Sequence, residues 1–295
     1  LDIATLLASE REHIERALEV NLPDRDEYPA RIHEAIRYSV LGGGKRLRPI
    51  VTLASADALG LDRSKVIKSA CSIEYVHCCS LVLDDLPSMD NASTRRGRPT
   101  THRVFGVATG ILAADALLMH AFKLLAENGD EVEADGRRLS EAVRDVATAV
   151  GSYGMVGGQH VDLEVAGSVA IDPDTLNYIQ TRKTGALFVV AATVGATLLG
   201  ADTDHLEAIG RYARDLGMAY QIVDDLLDCE GDPAVMGKDV GMDGGKATYV
   251  NIHGARAARS SADRLVADAI AALDPLPGDT GLLRDLASYC LKRAS

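Results

Sequence analysis

The sequence predicts an all-α fold, organised as one domain of about ten helices. Three observations carry this expectation. Apolar residues recur at helical spacing along nearly the whole chain, strand-like alternation of Val, Ile and Thr is missing, and aromatics make up only 4% with no Trp. Leu, Val, Ile and Ala must then fill the core, and Ala and Leu lose little entropy in a helix. A chain of 295 residues, 47% hydrophobic, can bury a sizeable core.

The elements follow in order. Ile3, Leu6, Leu7, Ile14 and Leu18 form one stripe, so the start reads as an amphipathic helix with acidic residues and not as a secretory leader. Similar stripes predict helices over 28–41, 47–58, 64–85, 107–128 and 136–150. Glycines 42–44 separate two of these, and Asn128-Gly129-Asp130 stops another. Further stripes cover 175–198, 203–229 and 258–273, and the PLPGD turn at 275–279 precedes a last helix over 280–293. No low-complexity tract or linker divides the chain.

A formal net charge of −12 argues against nucleic acid as a partner, because a phosphate backbone needs a basic surface. No uninterrupted apolar run approaches the roughly 20 residues of a membrane span, so none is expected. Cys71, Cys78, Cys79, Cys229 and Cys290 form no CxxC pair and read as reduced thiols of a cytoplasmic protein.

Against this plain background stand two acidic clusters. Asp84, Asp85 and Asp90 lie in DDLPSMD, directly after the apolar run EYVHCCSLVL. Pro87 disfavours helical geometry at Leu86, so the helix should end there and let Asp90 swing back toward the first pair. The second cluster, YQIVDDLLD, sets Asp224 and Asp228 at i and i+4 on one helical face, with Asp225 beside them. Like charges at that spacing repel and call for a neutralising partner. Carboxylates without soft ligands suit a hard ion such as Mg²⁺, which keeps waters and binds beside phosphates. Neither cluster has the glycine and closing Glu of a twelve-residue calcium loop.

A phosphate substrate would also require cationic clamps, and these are present. LGGGKRLRP places Lys45, Arg46 and Arg48 between a helix stop and a helix start. It is not a Walker A loop, since Arg46 stands where Ser or Thr is required. STRRGRPTTH adds Arg95, Arg96 and Arg98, whose forks match phosphate oxygens two at a time. RKTGALF supplies Lys183 and Thr184, and GKDVGMDGGKATY supplies Lys238 and Lys246. His77, Gln159, Asp162 and Gln221 are polar residues in apolar helical context, each in need of a partner if buried.

These motifs, in this order over about residues 38 to 250, resemble the trans-isoprenyl diphosphate synthases, most of all the bacterial geranylgeranyl diphosphate synthases. The resemblance implies an α-helical bundle around a central cavity, usually homodimeric, with the two aspartate motifs facing each other across its mouth. It implies three Mg²⁺ ions and two substrates, an allylic diphosphate (dimethylallyl, geranyl or farnesyl) and isopentenyl diphosphate. Its catalytic centre would comprise Asp84, Asp85, Asp90, Lys183, Asp224, Asp225 and Asp228. Asp84 and Asp90 would bind two of the metals and Asp224 the third, with Asp85 and Asp228 supporting them. Arg95, Lys183, Thr184, Gln221 and Lys238 would hold the allylic diphosphate, and Lys45, Arg48, His77 and Arg96 would hold isopentenyl diphosphate.

The same resemblance puts the floor of the chain tunnel near Cys79 and Ser80, with Val76 and Tyr75 one turn deeper. Cysteine is small, so the tail should pass beyond it and the expected product has twenty carbons, with a fifteen-carbon farnesyl product as the alternative. Val250 departs from the proline usual after the last motif. A class I terpene cyclase would carry one aspartate-rich motif and an aromatic-lined pocket. A divalent-metal storage bundle would carry Glu and Glu-x-x-His ligands. A non-catalytic regulatory subunit should have lost carboxylates or clamps, and none is lost here.

Overall fold

The computed structural model describes residues 2–167, 171–230 and 248–292. In chain order the helices are α1 (Ile3–Asn21), α2 (Ala30–Val40), α3 (Leu47–Ala58), α4 (Ile67–Asp84), α5 (Thr101–Phe105), α6 (Val107–Glu131), α7 (Gly136–Val150), α8 (Met155–Glu164), α9 (Pro173–Ile179), α10 (Ala186–Leu199), α11 (Thr203–Glu230), α12 (Tyr249–His253), α13 (Ala255–Ala272) and α14 (Gly281–Lys292). Local chemistry sets many of the ends. Asp2, Asp135 and Asp172 cap α1, α7 and α9 by accepting from backbone N–H groups, and Pro173 opens α9. Gly200 closes α10 in the left-handed conformation, φ 82°.

α4 is the axis of the site. It packs against α6 along its length and also against α1, α3 and α10, while α11 packs on α10 and α13. α4 and α6 run antiparallel. Gly110 lies against Leu86, Tyr75 beside His120, and the buried Asn128 accepts from Ser69 N (3.0 Å) and Ser69 Oγ (2.5 Å). The core is aliphatic, as the composition required, and its largest fully buried members include Tyr75, Tyr212, Ile50, Leu53, Ile73 and Leu117.

The all-α expectation holds, with three corrections. Residues 94–99 form a two-residue antiparallel hairpin, Thr94–Arg95 against Arg98–Pro99, whose turn at Arg96 and Gly97 uses positive φ (54° and 74°). It is too short to alternate, which is why no strand pattern shows in the sequence. The helix expected over 175–198 is α9 and α10 joined by a wide π-helical turn, Gln180–Gly185. Third, Arg63–Asp84, Val107–Glu131 and Pro173–Leu199 are long and apolar enough, by length and composition, to cross a membrane. Ser and His in the first, Thr and His in the second and Thr in the third interrupt the apolar runs without lowering their mean hydropathy below that of a span. The most apolar windows of the first and third are 67% and 61% buried inside the protein, so packing accounts for their character; that of α6 is only 33% buried.

Candidate active site

The apolar run of α4 ends by pointing three carboxylates in different directions. Asp85 turns inward and is almost fully buried, where Oδ1 accepts from Arg95 Nε (3.0 Å) and Nη2 (2.5 Å). This fork pairing is geometrically specific, and here it orients the hairpin's first arginine. Asp84 is half-buried, and burial pushes its carboxyl up to about 6; Asp90 and Asp85 add repulsion, while Lys183 and Arg95 counter it. Pro87 stops the helix as expected, and the bulge then folds back. Met89 N and Asn91 N donate to Leu86 O, and Asp90 N donates to Asp84 O at 2.9 Å, which returns the exposed Asp90 to the helix end.

The second cluster lies on α11. Asp224 is half-buried, and Asp225 and Asp228 are buried. Asp225 is a strut: Oδ1 accepts from Gln221 Nε2 (2.9 Å) and Oδ2 from Tyr249 N (3.0 Å). Gln221 in turn accepts from the Thr184 hydroxyl at 3.1 Å. The π-helical turn, α11 and the start of α12 are thereby tied together. In the same turn Lys183 Nζ donates to Asp162 Oδ2 (2.6 Å) and lies within the field of Asp84. The close approach of α8 to this turn explains Gly158, directly before Gln159, since a Cβ there would stand 2.4 Å from Lys183 N.

The basic side faces this arrangement. The Arg48 guanidinium lies 4.6 Å from the Phe188 ring centroid, and Nη1 is 3.4 Å from His77 Nε2. Burial lowers the Arg48 pKa, while the charges of Glu74 and Asp224 favour its cation. Burial, with Arg48 and Arg96 adding repulsion, holds His77 well below the ordinary imidazole range, so it is neutral. Arg48 Nε and Gln159 Oε1 are buried without a hydrogen-bond partner among the described residues. Such orphaned polar atoms fit a site completed by a polar ligand. Lys45 lies over the Tyr220 ring at 5.7 Å.

The structure thus brings Asp84, Asp90, Arg95 and Lys183 into one electrostatic neighbourhood, and Arg48, His77 and Asp224 into an adjoining one. Lys238, like Lys246, lies outside the described residues. Arg46, grouped with the clamps from sequence, is a correction: it is fully buried and bonded to Glu74, Glu15 and Val40 O. Arg98 is also occupied, stacked 4.0 Å from the Tyr38 ring. Sequence reasoning missed Glu74, Phe188 and His120. Only Glu74 carried a signal, as the sole acid inside the apolar run of α4.

Among the described residues no three His, Cys, Asp or Glu side chains lie close enough together to hold a metal ion by themselves. The donors that do converge are carboxylates, and Asp84 and Asp90 repel each other across a partly buried helix end. This sparse set fits Mg²⁺, which completes its shell with waters and substrate oxygens.

The deeper residues are equally defined. Cys79 is buried, and burial, with Asp115 and Asp84 nearby, pushes its thiol up to about 12, so it stays neutral. The Ser80 hydroxyl donates to His77 O at 2.8 Å, and Val76 is fully buried. Tyr75 is fully buried, its hydroxyl donating to Leu18 O (3.0 Å) and its ring 5.5 Å from that of His120.

Residues 29–275 match the family described as polyprenyl synthetase, and the chain belongs to that family. A dimethylallyltranstransferase of Fischerella ambigua is 40% identical over 289 residues, covering 97% of this chain and 82% of its own length. A geranylgeranyl diphosphate synthase of Cyanophora paradoxa is also 40% identical, over 91% of this chain and 89% of its own. Among solved structures, a geranylgeranyl pyrophosphate synthetase of Pyrococcus horikoshii superposes with TM-score 0.90 at 30% identity, covering 99% of both chains. An FPP/GFPP synthase of Zymomonas mobilis does so with TM-score 0.86 at 36% identity, over 98% of this chain and 99% of that one. The fold is the all-α isoprenoid synthase type, and the protein is a trans-prenyltransferase.

Proposed function

We propose that the protein condenses isopentenyl diphosphate head-to-tail with dimethylallyl, geranyl and farnesyl diphosphates, releases pyrophosphate, and stops at the twenty-carbon geranylgeranyl diphosphate. The observation that supports the chemistry most is the adjacency of two differently charged neighbourhoods, one carboxylate-rich around Asp84 and one cationic around Arg48 and His77. Asp84, Asp90 and Asp224 would hold Mg²⁺, with three ions in all, and the bound ions would supply charge to a departing pyrophosphate. Lys183, steadied by Asp162, and Arg95, steadied by Asp85, would orient the allylic diphosphate together with Thr184, Gln221 and Lys238. Arg48, Arg96, Lys45 and neutral His77 would bind isopentenyl diphosphate so that its double bond faces the ionising carbon. Aliphatic walls would keep water from the cation.

The α4–α6 seam supports the product length. Cys79 and Ser80 are small, and one turn deeper on α4 stands the large side chain of Tyr75, pinned to the end of α1 and backed by His120, which would close the path of a longer tail. His120 Nε2 lies 2.7 Å from Asn21 O, so this plate is hydrogen-bonded on both sides. From Asp84 to Tyr75 is nine positions (84 − 75), or roughly 13 Å at helical rise. A farnesyl tail of three isoprene units, twelve carbon–carbon bonds advancing roughly 1.25 Å each in zigzag, would reach the level of Tyr75, and a fourth unit would have to pass it.

The exposed apolar residues Val107, Ile111, Leu112 and Met119 of α6, with Val104 of α5, support a homodimer built on this helix. Five cysteines that form no disulfide, four of them buried, are in keeping with a cytoplasmic location, and the whole chain would act as one domain.

The test is incubation with Mg²⁺, isopentenyl diphosphate and each of the five-, ten- and fifteen-carbon primers, with products sized by chromatography and mass in solution by light scattering. Twenty carbons from every primer and a dimer mass are expected. Accumulation at fifteen carbons would place the floor at Cys79, and no metal-dependent product would overturn the reading.

A further inference from the structure

Glu74 belongs to no metal or substrate group described above, yet it is 1% exposed in the middle of α4. A carboxylate is left there only if its charge is matched. Glu74 Oε1 accepts from Arg46 Nη1 at 2.5 Å, lies 3.9 Å from Arg96 Nη2, and accepts from Cys78 Sγ at 3.9 Å. Arg46 is then fully engaged, since Nη2 donates to Val40 O (2.6 Å) and Nε to Glu15 Oε1 (2.8 Å).

Both arginines grip one loop. Arg46 is its last residue, held in the left-handed conformation with φ 52°, and starts α3. Arg96 reaches across from the hairpin, and its Nη1 donates to Gly43 O. Gly44 leaves room for that guanidinium, because a Cβ there would lie 2.7 Å from Arg96 Cζ. The segment Gly43–Arg46 is therefore clipped at two points to one buried carboxylate. Lys45 sits inside the clip, and Arg48 follows within the first turn of α3.

We propose that Glu74 is a positioning residue for the isopentenyl diphosphate pocket: it sets the loop and the guanidinium of Arg96 so that Lys45, Arg48 and Arg96 meet one diphosphate. The inference rests on the proposed reading of the site. Glu74 touches no substrate group and acts through Arg46 and Arg96. Its role differs from generic packing because it ties α4, which carries the aspartates, to the loop that carries the opposing cations. It should therefore affect one substrate and spare the other.

The experiment is steady-state kinetics of Glu74→Gln and Glu15→Gln beside the unaltered enzyme, with both substrates varied and folding checked by thermal melting. A charge-assisted hydrogen bond lost from the clip predicts a rise of about tenfold or more in KM for isopentenyl diphosphate in Glu74→Gln. KM for the allylic diphosphate should change less than about twofold. Glu15→Gln removes only the outer hold on Arg46 and should give the same selective rise at smaller size, so it carries the test if Glu74→Gln fails to fold. Equal rises for both substrates, or an unchanged KM in folded protein, would overturn the inference. A fall in KM for isopentenyl diphosphate would overturn it too, by showing that Glu74 merely tempers the pocket's positive charge. Failure of the unaltered enzyme to condense the substrates would instead sink the underlying assignment.

Discussion

Arg46 and Arg48 stand two residues apart in one basic motif, and the structure uses them in opposite ways. Arg46 is sealed in the protein with every nitrogen bonded, and its neighbouring carboxylates raise its pKa further. Arg48 is half-buried, stacked on Phe188 beside a neutral imidazole, with Nε unpartnered among the described residues and its pKa lowered by burial. The first has spent its charge on the fold. The second holds its charge at a desolvation cost that Glu74 and Asp224 offset only in part, leaving a bound anion to offset the rest. A cationic motif is therefore not a list of equivalent clamps; the number and kind of partners each guanidinium has in the folded protein separates scaffold from site.

The sharpest way to break this comparison is Arg46→Met. It strands Glu74 and Glu15 without their cation, and breaking a buried pair costs about 3–5 kcal/mol. The melting temperature should fall by on the order of 10 °C. Arg46→Met/Glu74→Met, which removes both buried charges, should recover most of that loss. A small drop in the single variant, measured by calorimetry, would mean that the pair contributes little to stability.

Arg48→Met should do the reverse. Losing a charged contact to diphosphate predicts a rise in KM for isopentenyl diphosphate of about tenfold or more. Stability should not fall, and should rise by up to about 1 kcal/mol as an unsatisfied buried donor disappears. Calorimetry and kinetics on the same preparation check both halves. A destabilised variant with normal KM would show that Arg48, too, is scaffold.

The difference between the two arginines was not legible in the sequence, whereas much else was. The bounds expected for α3 and α7 match the structure, although α3 is buried on nearly every side and only α7 buries one face and exposes the other. Pro87 announced the end of α4 and the fold-back of Asp90, since both follow from backbone rules local to seven residues. The clustering of acids and bases was equally plain. What stayed hidden depends on contacts distant in the chain. Arg46 meets Glu74 and Glu15 across 28 and 31 positions, and Asp85 is turned toward Arg95 by a hairpin too short to show a strand pattern. The π-helical turn that presents Lys183 and Thr184 looked like continuous helix, because one inserted residue hardly disturbs an apolar stripe.

The smallest effect concerns His77, which shares the Arg48 pocket. Burial and the surrounding guanidiniums hold its pKa well below 6.5 in the folded protein, while in the unfolded chain it titrates near that value. Between the two pKa values the unfolded state binds one more proton than the folded state, so stability falls as the pH drops through about 6.5. From pH 7 to pH 6 the loss attributable to this group is about 0.7 kcal/mol. Denaturant unfolding of the unaltered protein and of His77→Gln at both pH values isolates it, and the unaltered protein should lose that much more. Inorganic pyrophosphate should shrink the difference, because an anion against Arg48 relieves the repulsion that keeps the imidazole neutral. Equal pH dependence with and without His77 would mean that the imidazole titrates alike in the folded and unfolded protein, and that the pocket around Arg48 is less dry and less positive than its partners imply.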